Sequence, residues 1–332
     1  MSNNILKLTK KDMDKLYVIG VDMGGTNTAF GIVDRRGDIL FRDAISTAEY
    51  TTGKDYVDAL GEAINNLIAR NNLENQIKGI GMGVPNGNMN DGTIANAANI
   101  SWAKSPEPVQ LTKLLEEKTG FPSKLTNDAN AAAMGEMEYG SAKGMKDFIV
   151  ITLGTGLGGG VVSNGQLIVG REGFAGELGH VTAVRHNGRS CGCGRVGCLE
   201  TYASATGVAR TAREFLELNP QRKSLLSNIT TRPINSKDIF EAAVAGDELA
   251  IEIFEFTGRI LGEAFADFIA FTGPEAIILF GGLARADKFL IEPIKKAIED
   301  NVLNMYKGKV AIILSELNDA EAAILGASAL AW

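Results

Sequence analysis

Cysteine and histidine are scarce in this chain of 332 residues: three cysteines, two histidines, and also only eight prolines and two tryptophans. An odd number of cysteines, all between positions 191 and 198, does not make the paired framework of a small secreted domain. No apolar run reaches the roughly 20 residues of a membrane-spanning helix. The opening stretch MSNNILKLTKKDMDKL is polar and charged and lacks the apolar core of a signal peptide, so the expected location is the cytoplasm. Positive charge is short as well. Lys and Arg number 33 against 40 Asp and Glu, a net charge of −7, which argues against nucleic acid or an anionic membrane as the main partner. With no Pro-rich linker and 45% apolar residues, the length suits about two globular domains meeting at a hinge rather than a tether.

Glycine, by contrast, is abundant, with 39 residues. YVIGVDMGGTNTAFGIVDRRGDILF reads as strand, Gly-rich turn, strand, polar turn and strand, a meander. KDYVDALGEAINNLIARNN comes next, with Val57, Leu60, Ile64, Leu67 and Ile68 at helical spacing. IKGIGMGVP is a strand ending at Pro85, VQLTKLLEEKTG a helix closed by Gly120, and SKLTND a short strand entering an Ala-rich helix. The pattern then restarts. DFIVITLGTGLGGGVVSNGQLIVG is again strand, Gly-rich turn, strand, an Asn164–Gly165 hairpin and strand. Helices are expected from about Thr201 to Leu218 and from Asp247 to Thr272. EAIILFGG and KVAIILSE are strands, KFLIEPIKKAIEDNVL and DAEAAILGASAL helices. The duplicated order implies two similar α/β halves with a ligand between them.

Gly-rich turns after strands let backbone N–H groups approach an anion. In DMGGTNT, Gly24 and Gly25 supply the turn, Thr26 and Asn27 add polar donors, and Asp22 at the strand end can hold a hydrated Mg²⁺. The second turn, GTGLGG, carries Gly154, Thr155 and Gly156 and matches G-x-G-x-x-G literally. That dinucleotide motif must open a helix, whereas GVVSNGQLIVG continues as a hairpin, so the dinucleotide reading is rejected. A Walker A loop is absent too. The two hairpins look like jaws for one nucleoside triphosphate, and Gly281–Gly282 at the end of EAIILFGG permits close approach of a flat ligand or another backbone. Cys191, Cys193 and Cys198, with glycines among them, fit a closed tetrahedral zinc site lacking one ligand. Both histidines are candidates for it, and spacing slightly favours His186.

Five stretches in order, DMGGTN, NDANAA, TLGTGLGGG, GELGH and CGCGRVGCLE, make the chain resemble the ROK family of bacterial sugar kinases and related repressors, from about Val18 to the last helix. The resemblance implies an α/β chain of the actin-like ATPase, ribonuclease-H-like fold, two similar domains with a cleft between them. The domains are expected at 1–131 plus 318–332 and at 132–317, the larger one carrying the zinc loop. It implies ATP, Mg²⁺, a hexose substrate and a homodimer. By the family pattern Asp128 is the catalytic base and Asn127 a sugar-binding amide. The histidine of GELGH, His180, joins Cys191, Cys193 and Cys198 on a structural zinc and also faces the sugar, with Glu177, Glu200 and Asn99 as further sugar contacts. Spacing alone leaves Asn127–Asp128 equally readable as a helix cap.

Within GVPNGNMNDGTIANAANISW, Asn99 and Trp102 match the family's Asn-x-x-Trp pattern. Asn86 stands where glycine is usual and Ala98 where proline is usual. Glucose, phosphorylated at its 6-hydroxyl, is the expected substrate, with N-acetylmannosamine, N-acetylglucosamine and fructose as alternatives. A sugar-responsive repressor of the same family is the competing class. The sixteen residues before Tyr17 are too few for a DNA-binding domain, which favours the kinase.

Overall fold

A computed structural model describes residues 15–332, and the polar stretch before them lies outside the described residues. Strands β1 (Tyr17–Met23), β2 (Asn27–Asp34) and β3 (Ile39–Ser46) form an antiparallel meander. β4 (Ile77–Gly83) runs parallel to β1. A short ribbon of β5 (Gly87–Asn88) and β6 (Thr93–Ile94) comes after it, and β7 (Ser123–Thr126) runs parallel to β4. The sheet order is β3-β2-β1-β4-β7. The second sheet repeats it. β8 (Phe148–Leu153), β9 (Leu157–Ser163) and β10 (Gln166–Leu167) make the meander, β11 (Ala276–Phe280) and β12 (Ala311–Leu314) the parallel pair, in the order β10-β9-β8-β11-β12. A meander extended by two parallel strands, present twice, is the architecture expected of the actin-like ATPase fold.

The chain divides into two units, one of residues 15–143, 169–175 and 317–332, the other of 144–168 and 176–316. In the first, helix α1 (Gly53–Ala69) starts where the Thr52 hydroxyl accepts the Asp55 N–H, and it buries Val57, Leu60, Ile64, Leu67 and Ile68, the apolar stripe of the sequence. Truncating one of them, Leu60→Ala, costs about 2–5 kcal/mol. α2 (Leu111–Thr119) ends at Gly120 in the left-handed conformation, φ 77°. α3 (Asp128–Glu138) comes directly after β7.

In the second unit the stretch expected as one helix is two, α4 (Glu200–Ala203) and α5 (Ala205–Leu218), because Ser204 takes an extended conformation and caps α5 by accepting the Gly207 N–H. α6 (Ser236–Val244), which the apolar periodicity does not announce, opens on a capping box between Asn235 and Asp238. α7 (Glu248–Thr272) is capped by Asp247 and Gly273. After β11 the chain enters a 3₁₀ turn, Gly282–Ala286, before α8 (Lys288–Asn301). The last helix, α9 (Asp319–Ala329), returns to the first unit and lies against β1 and β4. A Cβ on Gly20 would stand 2.1 Å from the Ile324 carbonyl oxygen, and one on Gly81 1.9 Å from that of Ala327, so only glycine lets helix and sheet approach this closely.

Candidate active site

The turn between β1 and β2 carries Gly24, Gly25 and Thr26. It is closed by the Gly24 N–H donating to the Asn27 carbonyl at 2.9 Å, so that N–H is engaged inside the hairpin. Asp22, the penultimate residue of β1, is half-buried; burial first, then the nearby Asp128 carboxylate, hold its pKa above the usual carboxylate range. A half-buried carboxylate raised in this way suits a divalent cation, which would stabilise its charged form. Thr26 and Asn27 are exposed, while Thr28 is fully buried, its hydroxyl 2.8 Å from that of Thr47 and 2.9 Å from that of Tyr56 on α1. The Tyr56 ring stacks at 5.2 Å on Trp102. A Cβ on Gly25 would fall 2.7 Å from the Asn99 carbonyl oxygen. The turn and the loop carrying exposed Asn99 are therefore packed as one body. Tyr56, Thr28 and Thr47 were not singled out from the sequence, where nothing marks a buried hydroxyl chain spanning β2, the residue after β3, and α1.

Asn86, in the position where glycine is usual, has φ 53°. Asparagine tolerates that left-handed conformation better than most residues, and its amide donates to the Asn96 carbonyl at 2.8 Å. Asn86 thus takes a left-handed backbone conformation that glycine could also take.

Asn127 and Asp128 divide what the sequence left ambiguous. Asn127, buried, is the N-cap of α3, its side-chain oxygen accepting the Asn130 N–H at 2.7 Å. Asp128, the first helical residue, is exposed; one carboxylate oxygen accepts the Ala129 N–H at 3.0 Å. The cap is made without Asp128, so capping does not account for an aspartate there.

In the second unit, the turn after β8 mirrors the first: the Gly154 N–H donates to the Gly156 carbonyl at 3.1 Å, and the chain continues into β9. This hairpin is incompatible with a dinucleotide motif, as the residues after GTGLGG lead one to expect. A Cβ on Gly154 or Gly282 would meet nothing within 4 Å, whereas Gly281, at φ 103°, packs against the Leu153 backbone, 2.8 Å from its carbonyl oxygen. Of the Gly281–Gly282 pair, the first serves a backbone contact and the second borders open space.

His180, Cys191, Cys193 and Cys198 place one ligand atom each within 4.8 Å of one another. A tetrahedral zinc with Zn–S of about 2.3 Å and Zn–N of about 2.0 Å puts thiolate pairs about 3.8 Å apart and sulfur–nitrogen pairs about 3.6 Å apart. The Cys193 and Cys198 sulfurs are 3.7 Å apart, and the Cys191 sulfur is 3.7 Å from His180 Nδ1, so the residues fit the ion. The other ring nitrogen of His180 stands 4.0 Å from Glu177 Oε2. His186 is exposed and is not in the cluster. Burial pushes the Cys191 thiol up to about 12, and the Arg195 N–H holds that of Cys193 below its ordinary value. Glu200 Oε2 accepts the Leu157 N–H at 3.0 Å, and its Oε1 lies 3.7 Å from the Cys191 sulfur. Arg189, 7% exposed and overlooked in the sequence, ties the cluster to α5 through Glu214, Thr211 and the Gly207 carbonyl, and its guanidinium covers the Tyr202 ring at 4.4 Å.

Comparison with known proteins gives a consistent answer. Residues 18–332 match the ROK family. The glucokinase of Halalkalibacterium halodurans is 37% identical over 86% of this chain and 86% of its own length. That of Thermotoga maritima is 34% identical over 96% and 98%. Among solved structures, a ROK family glucokinase from Streptomyces griseus in complex with glucose and AMPPNP superposes with a TM-score of 0.74 at 34% identity, covering 95% of this chain and 98% of that one.

Proposed function

The chain belongs to the ROK family, and from that premise we infer its reaction: it is an ATP-dependent glucokinase, a sugar kinase of the actin-like ATPase fold. ATP and a hexose are its substrates, and we propose that the γ-phosphate passes to the 6-hydroxyl of glucose.

We assign the base role to Asp128. A hydroxyl attacking a phosphorus must lose its proton, and the rest of the catalysis is positioning and neutralisation of charge. The observation that carries this assignment is the division at the start of α3: Asn127 caps the helix and Asp128 presents a carboxylate that the cap does not need. Asn99, Asn127, Glu177, His180 and Glu200 are proposed to hold the sugar hydroxyls. Carboxylates accept from paired hydroxyls, and His180, with Nδ1 toward Cys191, keeps its Nε2 on the side of Glu177. Gly24, Gly25, Thr26 and Asn27 are proposed to line the phosphates from one unit, Gly154, Thr155, Gly156, Gly281 and Gly282 to bind the nucleotide from the other. Asp22 would hold Mg²⁺, which when bound offsets phosphate charge. His180, Cys191, Cys193 and Cys198 would hold a structural zinc with no open position.

The Asp128→Asn protein tests the base assignment. It is expected to fold and to bind glucose with near-normal affinity while kcat falls by about 10²- to 10⁴-fold; a kcat within tenfold of normal removes Asp128 from the role. Two further proposals rest on the family: a homodimer, checked by sedimentation, and a cytoplasmic location, in keeping with the lack, among the described residues, of a helix long and apolar enough to cross a membrane.

A further inference from the structure

The second Gly-rich turn is held by the segment that leaves the cysteine cluster. The Gly154 carbonyl accepts the Ala205 N–H at 2.9 Å, and the Thr155 carbonyl accepts the Thr206 hydroxyl at 2.8 Å. The Leu157 N–H donates to Glu200, and a Cβ on Gly156 would stand 2.4 Å from the same carboxylate oxygen. Every residue from 154 to 157 therefore touches a residue between 200 and 206. That segment is in turn pinned to the cluster. Glu200 lies two positions after Cys198, and the Cys198 carbonyl accepts both the N–H and the hydroxyl of Thr201, at 3.0 and 2.7 Å. Arg189, just before Cys191, donates to the Thr201 carbonyl at 2.8 Å.

We infer that the cysteine cluster braces the nucleotide turn through Glu200 and Thr206, so that these two are positioning residues for ATP and metal occupancy sets nucleotide affinity as well as sugar affinity. This rests on reading Gly154–Gly156 as a nucleotide turn and extends it. The physical reason is preorganisation. A Gly-rich loop loses more conformational freedom than any other on binding, and carbonyls fixed from behind keep its N–H groups aimed without that cost being met at each binding event.

The test is calorimetric titration, with a non-hydrolysable ATP analogue and separately with glucose, of the wild-type protein and of Thr206→Val, Thr206→Ser and Gly154→Val. Thr206→Val leaves the Thr155 carbonyl without its hydroxyl donor. It is expected to raise the analogue Kd by about 3- to 10-fold, leaving the glucose Kd within twofold, and Thr206→Ser is expected to restore wild-type affinity. Protein stripped of metal by chelation should show weakened analogue binding too. If Thr206→Val binds the analogue within twofold of wild type, or weakens glucose equally, the brace is overturned. Gly154→Val separates that failure from failure of the underlying reading. Its side chain enters open space and should block phosphate without disturbing the fold, so unchanged analogue binding there removes the nucleotide-turn assignment itself.

Discussion

At the residue scale, Asp22 shows a cost accepted in the free protein. Its pKa is raised in the folded chain, chiefly by burial and then by Asp128. A raised carboxylate contributes stability that is complete below its unfolded pKa and is lost as pH rises through the folded value. As pH rises through that window Asp22 therefore increasingly opposes folding. Asp22→Asn is expected to raise the urea midpoint at pH 7 but not at pH 3, while abolishing Mg²⁺-dependent nucleotide binding. An unchanged or lower midpoint at pH 7 counts against this account. Much at this scale was legible in the sequence: the cysteine cluster, Asn127–Asp128 and the Gly-rich turns lie in short contiguous stretches. What was not legible is contact across distance. The Glu200 bond to Leu157 spans 43 residues and leaves no local pattern. Spacing slightly favours His186, the wrong histidine, because the turn that brings position 180 to the cysteines is tertiary; the structure gathers His180 and leaves His186 exposed.

At the scale of elements, the cysteine cluster is fastened to α5 by Arg189. Its guanidinium is buried against an aromatic ring, bonded to two backbone carbonyls and to Glu214, which also receives Arg210. Arg189→Met would remove the guanidinium donor from the Thr201 carbonyl and from one Glu214 oxygen, at a cost of about 3 kcal/mol measured by urea unfolding; below about 1 kcal/mol the fastening role fails. Cys193→Ser, at the exposed corner of the same cluster, should lose metal with little direct packing cost, and glucose affinity should fall with it. Metal-free protein with an unchanged glucose KM would detach the cluster from the sugar. Helix α1 and the paired meanders were readable because their apolar periodicities are long and regular. α6 was not: it has nine residues, and its signal is the Asn235–Asp238 box rather than a stripe. The break at Ser204 was hidden because serine, though preferred at N-caps, also occurs inside helices, so its position alone does not mark a boundary.

For the whole molecule, the repeated order of β3-β2-β1-β4-β7 and β10-β9-β8-β11-β12 shows that one α/β plan is used twice. Each copy keeps a Gly-rich turn at the same point of its meander, after Asp22 in one and Thr152 in the other. Beyond the meander the two copies diverge. The first adds Asn99 and α3 with Asp128, the second adds the cysteine cluster and its braced turn. Under the proposed roles, the first unit would supply the base and the second the contacts supported by the cysteine cluster. The most direct measurement is a coupled assay of ADP release over glucose, N-acetylmannosamine, N-acetylglucosamine and fructose, with the phosphorylated position of the product identified. Glucose is expected to give the highest kcat/KM, by at least about tenfold, with glucose 6-phosphate as product. ADP release with none of the four sugars, or a clear preference for another of them, would contradict it.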